Sequence, residues 1–224
     1  MNNYNWILRT FLFPTLFLCG LLLFLNKLVN AQNTSEQTKL AWTNIFQAAT
    51  KEPKPPVKPR KPGSRPTDAT ICMISPDAPD QTRIVWSDRP LFLWQGKVNK
   101  IGVRRKGSNV YLWSQSVTSA ESTTYTGSAL QPGQTYEWVV NDNTFVPFQV
   151  MKAEPRKLIA EELTNLEKQQ PVQGTSTENI ALIKANYFAK AQLWSDVFQE
   201  TYSVPQPSTN LLKMRQELVV ELCK

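Results

Sequence analysis

The stretch Leu130-Gln-Pro-Gly-Gln-Thr-Tyr-Glu-Trp138 contains a turn that leads directly into a β-strand. Pro132 presets the φ angle that a turn requires, and Gly133 tolerates a positive φ angle, so the two residues suit neighbouring turn positions. The residues that follow, Thr135–Val140, are mostly aromatic or β-branched, which is typical of a strand. The sequence therefore predicts a chain reversal at Pro132 and Gly133 and a strand immediately after it.

Further short β-rich runs surround this strand between residues 67 and 151. Turn residues separate the runs, and no segment of helical length interrupts them. About seven strands at this spacing are typical of an antiparallel β-sandwich. The predicted strands are Arg83–Trp86, Leu91–Trp94, Ile101–Val103, Val110–Trp113, Thr123–Tyr125, Thr135–Val140 and Phe145–Met151.

After Ala153 the apolar residues recur with a helical period, and three or four short helices are predicted over 153–224. The segment Thr175-Ser-Thr-Glu178 has the pattern of a capping box, which places a helix start at Thr175. Ser208 is in position to cap the last helix. The predicted fold class is therefore mainly β plus α, a β-sandwich over 67–151 followed by a small helical segment that resembles a single helical hairpin.

Residues 1–31 have the organisation of a secretory signal. Arg9 precedes an uncharged apolar run, Phe11–Leu25, and Val29 and Ala31 occupy the −3 and −1 positions of a cleavage site before Gln32. The alternative is an uncleaved membrane anchor, because the apolar run approaches the roughly 20 residues that span a bilayer. We expect a cleaved signal and a location that is secreted, periplasmic or in the cell envelope, with membrane attachment only if the signal stays.

Residues 32–66 are predicted to form a disordered, basic, proline-rich linker. The segment Lys51–Pro66 holds six prolines and few apolar residues, so an extended polyproline-type spacer is expected. It serves either as a solvated spacer or as a basic tether for anionic wall polymer or lipid head groups. The apolar stretch Leu40–Phe46 is too short to build a core of its own, so we expect residues 32–65 to be dispensable for folding.

The net charge of +7 belongs to the signal and the linker. From Pro66 onward the chain holds 16 basic and 16 acidic residues, so the predicted folded part is neutral. A nucleic-acid-binding protein needs basic residues clustered on one face. The sharpest basic run, Arg104-Arg-Lys106, is expected to be the solvated end of a strand, with an anion site as the alternative. We expect no nucleic-acid partner.

The chain contains no histidine, which excludes the usual Ser-His-Asp and Cys-His catalytic arrangements and the commonest zinc ligand. No phosphate-binding glycine loop and no acidic calcium loop is present. A carboxylate pair, for which Glu137 and Asp142 are candidates, is the remaining route to catalysis. The predictions are no catalytic residues, no metal, no cofactor and no enzymatic activity.

Two cysteines, Cys72 and Cys223, remain outside the signal and bracket the predicted folded region. An even number of cysteines in an oxidising compartment favours pairing. We therefore predict a disulfide between the first strand and the last helix. The alternative is a pair of separately buried thiols, since a free cysteine behaves as a small apolar residue.

The stretch around Tyr136 resembles the tyrosine corner of immunoglobulin-like and fibronectin type III sandwiches. That resemblance implies that the Tyr136 hydroxyl bonds to upstream backbone, which makes Tyr136, Pro132 and Gly133 structural residues. A longer set of pieces resembles a cyanobacterial family of secreted proteins of unknown function and implies the same fold and export. The matching pieces are Pro62–Arg65 before Cys72, Ser87–Trp94, Leu130–Trp138 and Ile180–Phe198.

Aromatic residues supply the candidate contacts with a ligand or partner. Tyr111 and Trp113 lie two positions apart on a predicted strand, so they are expected to share one face. Tyr187 and Trp194 are the candidates in the helical segment; the alternative for all of these rings is burial in the core. We expect a non-catalytic envelope module that binds a protein or has a structural role. The alternative is a carbohydrate-binding module for wall or extracellular glycan.

Overall fold

The computed structural model describes residues 41–48, 71–77, 83–170 and 176–224. The predicted signal and the proline-rich spacer lie outside these residues. The elements are α1 (41–48), β1 (Cys72–Ser75), β2 (Ile84–Val85), β3 (Leu91–Gln95), β4 (Lys100–Arg105), β5 (Tyr111–Ser116), β6 (Ser122–Thr124), β7 (Thr135–Val140), β8 (Thr144–Val150), α2 (Ala153–Lys168), α3 (Thr177–Lys190), α4 (Trp194–Ser203) and α5 (Thr209–Leu222).

The mixed β and α composition agrees with the predicted class. The strands of the described part form a three-stranded sheet in the order β1-β3-β6 and a five-stranded sheet in the order β2-β8-β7-β4-β5. The pairs are antiparallel apart from β2 with β8, which is parallel. None of the described helices is both long and apolar enough to cross a membrane.

The first hydrophobic core lies between the two sheets. Alternation along β8 directs Val146, Phe148 and Val150 inward, and they pack in one cluster with Trp138 of β7 and Phe92 of β3. Each large apolar side chain of this kind contributes about 1.5–3 kcal/mol when it is fully buried. We call this cluster the inter-sheet core.

The second hydrophobic core lies between the helices and the three-stranded sheet. Leu91 and Leu93 of β3 point to this side, while Phe92 and Trp94 point to the inter-sheet core. Both faces of β3 are therefore covered, which explains its continuous apolar sequence. We call the second cluster the helical core; the C-terminal helices contribute most of it, including Phe188, Trp194, Phe198, Leu211 and Leu218.

Serine residues cap the starts of α3 and α5. The Ser208 hydroxyl accepts a hydrogen bond from the backbone N–H of Leu211 at 3.2 Å, as predicted. For α3 the predicted start was one residue too early, because the N-cap is Ser176, whose hydroxyl accepts from the N–H of Asn179 at 3.1 Å. Glu178 is thereby released from the capping role and binds two other elements instead.

The expectation that residues 32–65 are dispensable is wrong for α1. Trp42 is 0% exposed and Ile45 is 4% exposed, and both belong to the helical core. The indole N–H of Trp42 donates to Oε1 of Glu178 at 3.2 Å. The stretch is too short to build a core, as the sequence indicates, but it completes a core that the other helices supply.

The predicted disulfide between Cys72 and Cys223 is present. The Cα atoms lie 5.7 Å apart, and the bond joins β1 to the residue that follows α5. A closed loop with a sequence separation of 151 removes unfolded-state entropy equivalent to about 5 kcal/mol in the chain-entropy account. The bond therefore holds the end of the helical segment against the three-stranded sheet.

Candidate binding surface

The five-stranded sheet has an outer face, directed away from the inter-sheet core. Among the described helices, α4 packs against β1 and β3 of the three-stranded sheet and against the short edge strand β2. Cross-strand register places Gly102 of β4 opposite Val139 of β7, and Val139 opposite Phe145 of β8. These three positions have the opposite phase to the inward-pointing residues, so they form one row across the outer face.

Tyr111 lies on this row because of a β-bulge between β4 and β5. Val103 pairs with Trp113, whereas Arg104 pairs with Tyr111, so Leu112 is an extra residue on β5. The ring of Tyr111 lies against Gly102, where a Cβ atom would approach Cε1 of Tyr111 to 2.3 Å. Gly102 is therefore required for the ring to rest on the sheet, and Tyr111, Val139 and Phe145 form an apolar strip.

The bulge overturns the expectation that Tyr111 and Trp113 share one face. Trp113 points inward, with its ring centroid 6.1 Å from that of Phe92 and 5.2 Å from that of Tyr125. Its indole N–H donates to the hydroxyl of Thr126 at 3.0 Å. Trp113 is half-buried against the inter-sheet core, so it is not part of the apolar strip.

An ion pair flanks the strip at one end of the strands. The Tyr111 hydroxyl donates to Oδ1 of Asp142 at 2.8 Å, and Nζ of Lys100 lies 2.9 Å from the same oxygen. Lys100 Nζ also lies 5.1 Å from the centroid of the Tyr111 ring. Partial burial, and then the hydrogen bond to Asp142, raises the pKa of Tyr111 to about 12. Hydrogen bonds from Lys100 and Tyr111 lower the pKa of Asp142.

A second ion pair flanks the strip on its other side. Nε of Arg104 lies 2.7 Å from Oε2 of Glu137, and their side chains are only 17% and 8% exposed. The Arg104 guanidinium also lies 5.3 Å from the centroid of the Phe145 ring. Arg104 is therefore not a solvated strand end, because its side chain is largely buried, and it is not an anion site, because Glu137 neutralises its charge. Arg105 and Lys106, the other two residues of the basic run, are exposed.

The edge strand β5 lies beside the strip and exposes aliphatic side chains. Among the described strands β5 is paired only with β4. Val110, just before the strand, is 74% exposed, and Leu112 is 45% exposed. Exposed aliphatic residues beside an open strand edge are a recognised site of strand addition by another chain.

The other two aromatic candidates lie in the helical segment and do not join the strip. Trp194 is buried in the helical core and is therefore not a surface residue. Tyr187 is half-buried, and its hydroxyl donates to the carboxylate of Glu162. Burial, followed by that hydrogen bond, raises the pKa of Tyr187 to about 12. Tyr187 therefore joins α2 to α3.

Tyr136 acts as a structural residue at the corner that opens β7. Its hydroxyl accepts a hydrogen bond from the backbone N–H of Gln131 at 2.8 Å, five residues upstream. Gly133 has a φ angle of 76°, a conformation that disfavours side chains with a Cβ. Pro132 precedes it in the same turn. These contacts position the strand that carries Glu137 and Val139.

The two candidate carboxylates, Glu137 and Asp142, do not form a pair suited to acid-base chemistry. Glu137 is held by Arg104 and Asp142 by Lys100, so each carboxylate is bound to a different cation. No group of three His, Cys, Asp or Glu side chains within the described ranges is placed to hold a metal ion.

Sequence reasoning missed Phe145, Lys100 and the role of Gly102. Phe145 could have been found, because it has the opposite phase to Val146 and Phe148 along β8. Nothing in the local sequence indicates that Tyr111 lies over Gly102, since that contact depends on the bulge.

Comparison with protein-family models, curated proteins and solved structures found no match to this chain. The outer face must therefore be interpreted from its own geometry.

Proposed function

We propose that this chain is a non-catalytic, exported binding module that holds a partner protein of the cell envelope. The binding surface consists of the half-buried rings of Tyr111 and Phe145, beside the buried Val139, together with the open edge of β5. The supporting observation is the exposure of Val110 and Leu112 beside this strip. A protein interface typically has an apolar centre surrounded by solvent-accessible polar and charged groups, and the exposed Lys100–Asp142 ion pair supplies part of that rim here.

An immunoglobulin-like sandwich is part of this proposal. The order β1-β3-β6 corresponds to strands A, B and E of such a sandwich, and β8-β7-β4-β5 corresponds to G, F, C and C′. The hydroxyl of Tyr136 at the start of β7 bonds to upstream backbone, as in a tyrosine corner. This correspondence supports the sandwich assignment; export remains part of the proposal and rests on the signal-like organisation of residues 1–31.

A protein partner is favoured over a small ligand by the exposed aliphatic residues. Leu112 and Val110 offer no hydrogen bonds to a sugar, but they suit the side chains of an added strand. Main-chain hydrogen bonds to β5 would supply affinity, and the Tyr111 ring would contact alternate side chains of the partner strand.

The experiment compares three surface variants in a pull-down from an envelope extract. Leu112→Lys and Tyr111→Ala alter the proposed surface, and Leu158→Lys alters an exposed leucine on α2 as the matched control. We expect one protein at stoichiometric yield with the wild type and the control, and at least about tenfold less with the other two variants. Equal recovery with all of the variants would refute the proposed surface.

A carbohydrate ligand is the second candidate, and the two rings of the strip favour it. Tyr111 and Phe145 are half-buried aromatic residues on one sheet face, and sugar rings stack on such side chains. Titration calorimetry with wall glycans distinguishes this case. Glycan binding would be lost in Tyr111→Ala and Phe145→Ala but retained in Leu112→Lys, whereas an absence of heat with every glycan would leave the protein-binding proposal as the better one.

A further inference from the structure

We propose that the strand that adds to the open edge of β5 is β5 of a second copy of this chain, in an antiparallel pair whose two-fold axis passes beside Gln115. This inference rests on the proposed function, because it names the partner that binds at that edge. Three features of β5 carry it: the direction of its backbone groups, its lack of charge, and the order of its side chains on either side of Gln115.

The backbone groups of Ser114 and Ser116 point toward the open edge. The N–H of Val117 donates to the carbonyl of Asn99 at 2.9 Å, so Val117 bonds toward β4. Residues of an antiparallel strand bond alternately to one side and to the other, so the two serines point away from β4. Among the described strands only β4 pairs with β5. Each serine therefore offers one N–H donor and one carbonyl acceptor to an added strand.

The regular part of this edge carries no feature that opposes pairing. Leu112 is the extra residue of the β-bulge, and a bulge interrupts the hydrogen-bond ladder, so regular pairing is confined to residues 113–117. Edge strands are commonly protected by lysine, proline or inward-pointing charges. The segment Trp113-Ser-Gln-Ser-Val117 contains none of these, and its three central residues are exposed.

The order of side chains in this segment is nearly the same in both directions from Gln115. Trp113 and Val117 both pack with the inter-sheet core, and Ser114 and Ser116 occupy the alternate positions. An antiparallel pair centred on Gln115 places Trp113 opposite Val117 of the second copy and Ser114 opposite its Ser116. Apolar positions then face apolar positions, hydroxyls face hydroxyls, and no like charges meet. A two-fold contact requires a self-complementary surface of this kind.

The same pattern selects the position of the axis. A pair centred on Gln115 matches the outward backbone groups of Ser114 with those of Ser116 in the second copy. A pair centred on Ser114 would place the Trp113 ring opposite the Gln115 amide and would draw the bulge residue Leu112 into the ladder. The centre on Gln115 avoids both conflicts, and it joins the two five-stranded sheets into one continuous sheet.

The first experiment measures mass by sedimentation equilibrium from micromolar to near-millimolar concentration, on the purified chain from Gln32 to Lys224. We expect a dimer. Gln115→Lys and Gln115→Glu each place two like charges opposite one another at the axis, so each should weaken the dimer about fivefold. A mixture of the two variants brings opposite charges together and should restore the dimer. Leu158→Lys, at an exposed leucine of α2, is the matched control and should leave the dimer unchanged.

The second experiment tests the position of the axis with Gln115→Cys. In the chain from Gln32 onward the two native cysteines are bonded to each other, so the new side chain supplies the free thiol. Opposed residues of a non-hydrogen-bonded antiparallel pair have Cα atoms about 4.5 Å apart, which is within reach of a disulfide. We expect mild oxidation to cross-link Gln115→Cys into a dimer and to leave the control Leu158→Cys uncross-linked.

Two results would overturn the inference. One is a purified chain that is monomeric at every concentration. The other is a dimer that neither charged variant weakens and that Gln115→Cys does not cross-link, because the contact would then lie elsewhere. The pull-down separates this failure from that of the proposed function. A monomeric chain that still recovers a different protein through the β5 edge overturns the second copy alone, whereas a monomeric chain that recovers nothing overturns the proposed surface as well.

Discussion

The carboxylate of Asp196 accepts a hydrogen bond of 2.8 Å from the backbone N–H of Trp86, which joins α4 to the residue that follows β2. Its second oxygen accepts from the N–H of Ser87 at 3.0 Å. Asp196 is fully buried, and desolvation raises its pKa to about 7 despite these two hydrogen bonds. The negative charge of Glu200 raises it further, and Arg156, whose Nε donates to the carbonyl of Trp86, lowers it.

The first prediction is that the free energy of unfolding falls as the pH rises from about 4 to 7. The pKa of Asp196 is higher in the folded state than its ordinary value of 3.8, so the folded chain binds this proton more tightly than the unfolded chain. The stabilising contribution of Asp196 is fully present at pH values below its unfolded pKa of 3.8, and it is lost as the pH rises through its folded pKa of about 7. A shift of about three pKa units corresponds to roughly 4 kcal/mol as an upper value.

The measurement is urea denaturation at pH 5 and pH 8. Asp196→Asn cannot ionise and should reduce the difference between the two pH values by at least about half. The remainder comes from other groups such as Glu200, whose pKa burial also raises. An unchanged pH dependence in the variant would contradict the assignment to Asp196.

The second prediction is that Trp42→Ala destabilises the chain by about 3–5 kcal/mol, although Trp42 lies in a stretch of only eight helical residues. Removal of a fully buried indole loses apolar burial and leaves a cavity in the helical core. Asn44→Ala is the control, because Asn44 is exposed on the same helix. Denaturation midpoints that are equal for the two variants would show that α1 contributes nothing to the core.

The third prediction concerns the contact of Gly102 with Tyr111. Gly102→Ala places a methyl group against the ring, so Tyr111 must move, at a cost of about 1–3 kcal/mol. The cost should fall to less than about 1 kcal/mol when Tyr111→Ala is already present, because the ring that clashes is then absent. A double-mutant cycle in chemical denaturation measures this coupling. Additive effects would mean that the ring does not rest on Gly102.

The fourth prediction is that loss of the disulfide affects the helical segment first. In Cys223→Ser the end of α5 is no longer bonded to β1, so amide exchange over 209–222 should accelerate while β4 and β7 stay protected. Alkylation of the unreduced chain from Gln32 onward, which lacks Cys19, should add no label, and reduction should allow two. Labels taken up without reductant, or uniform acceleration of exchange, would argue against this role.

Much of the architecture was predictable because it depends on local patterns. The aromatic and β-branched composition of Thr135–Val140, the turn at Pro132 and Gly133, and the cap at Ser208 each involve neighbouring residues, and all are found where the sequence indicates. The pairing of Cys72 with Cys223 was predictable because only two cysteines remain outside the predicted signal. The capping residue of α3 was displaced by one position, since Ser176 is itself a favourable N-cap residue although Asn179, rather than Glu or Gln, follows three residues later.

The placement of the candidate site depended on contacts between distant segments. Simple alternation along β5 would put Tyr111 and Trp113 on one face. The β-bulge that separates them depends on how β5 pairs with β4, so the sequence of β5 alone does not predict it. The sequence by itself determined the strands from β2 onward, the C-terminal helices, the disulfide and the neutrality of the chain from Pro66 onward, but neither β1 nor α1. Only the tertiary structure decided that Trp42 and Asp196 are buried and that Tyr111 lies outside, because burial depends on which surfaces meet.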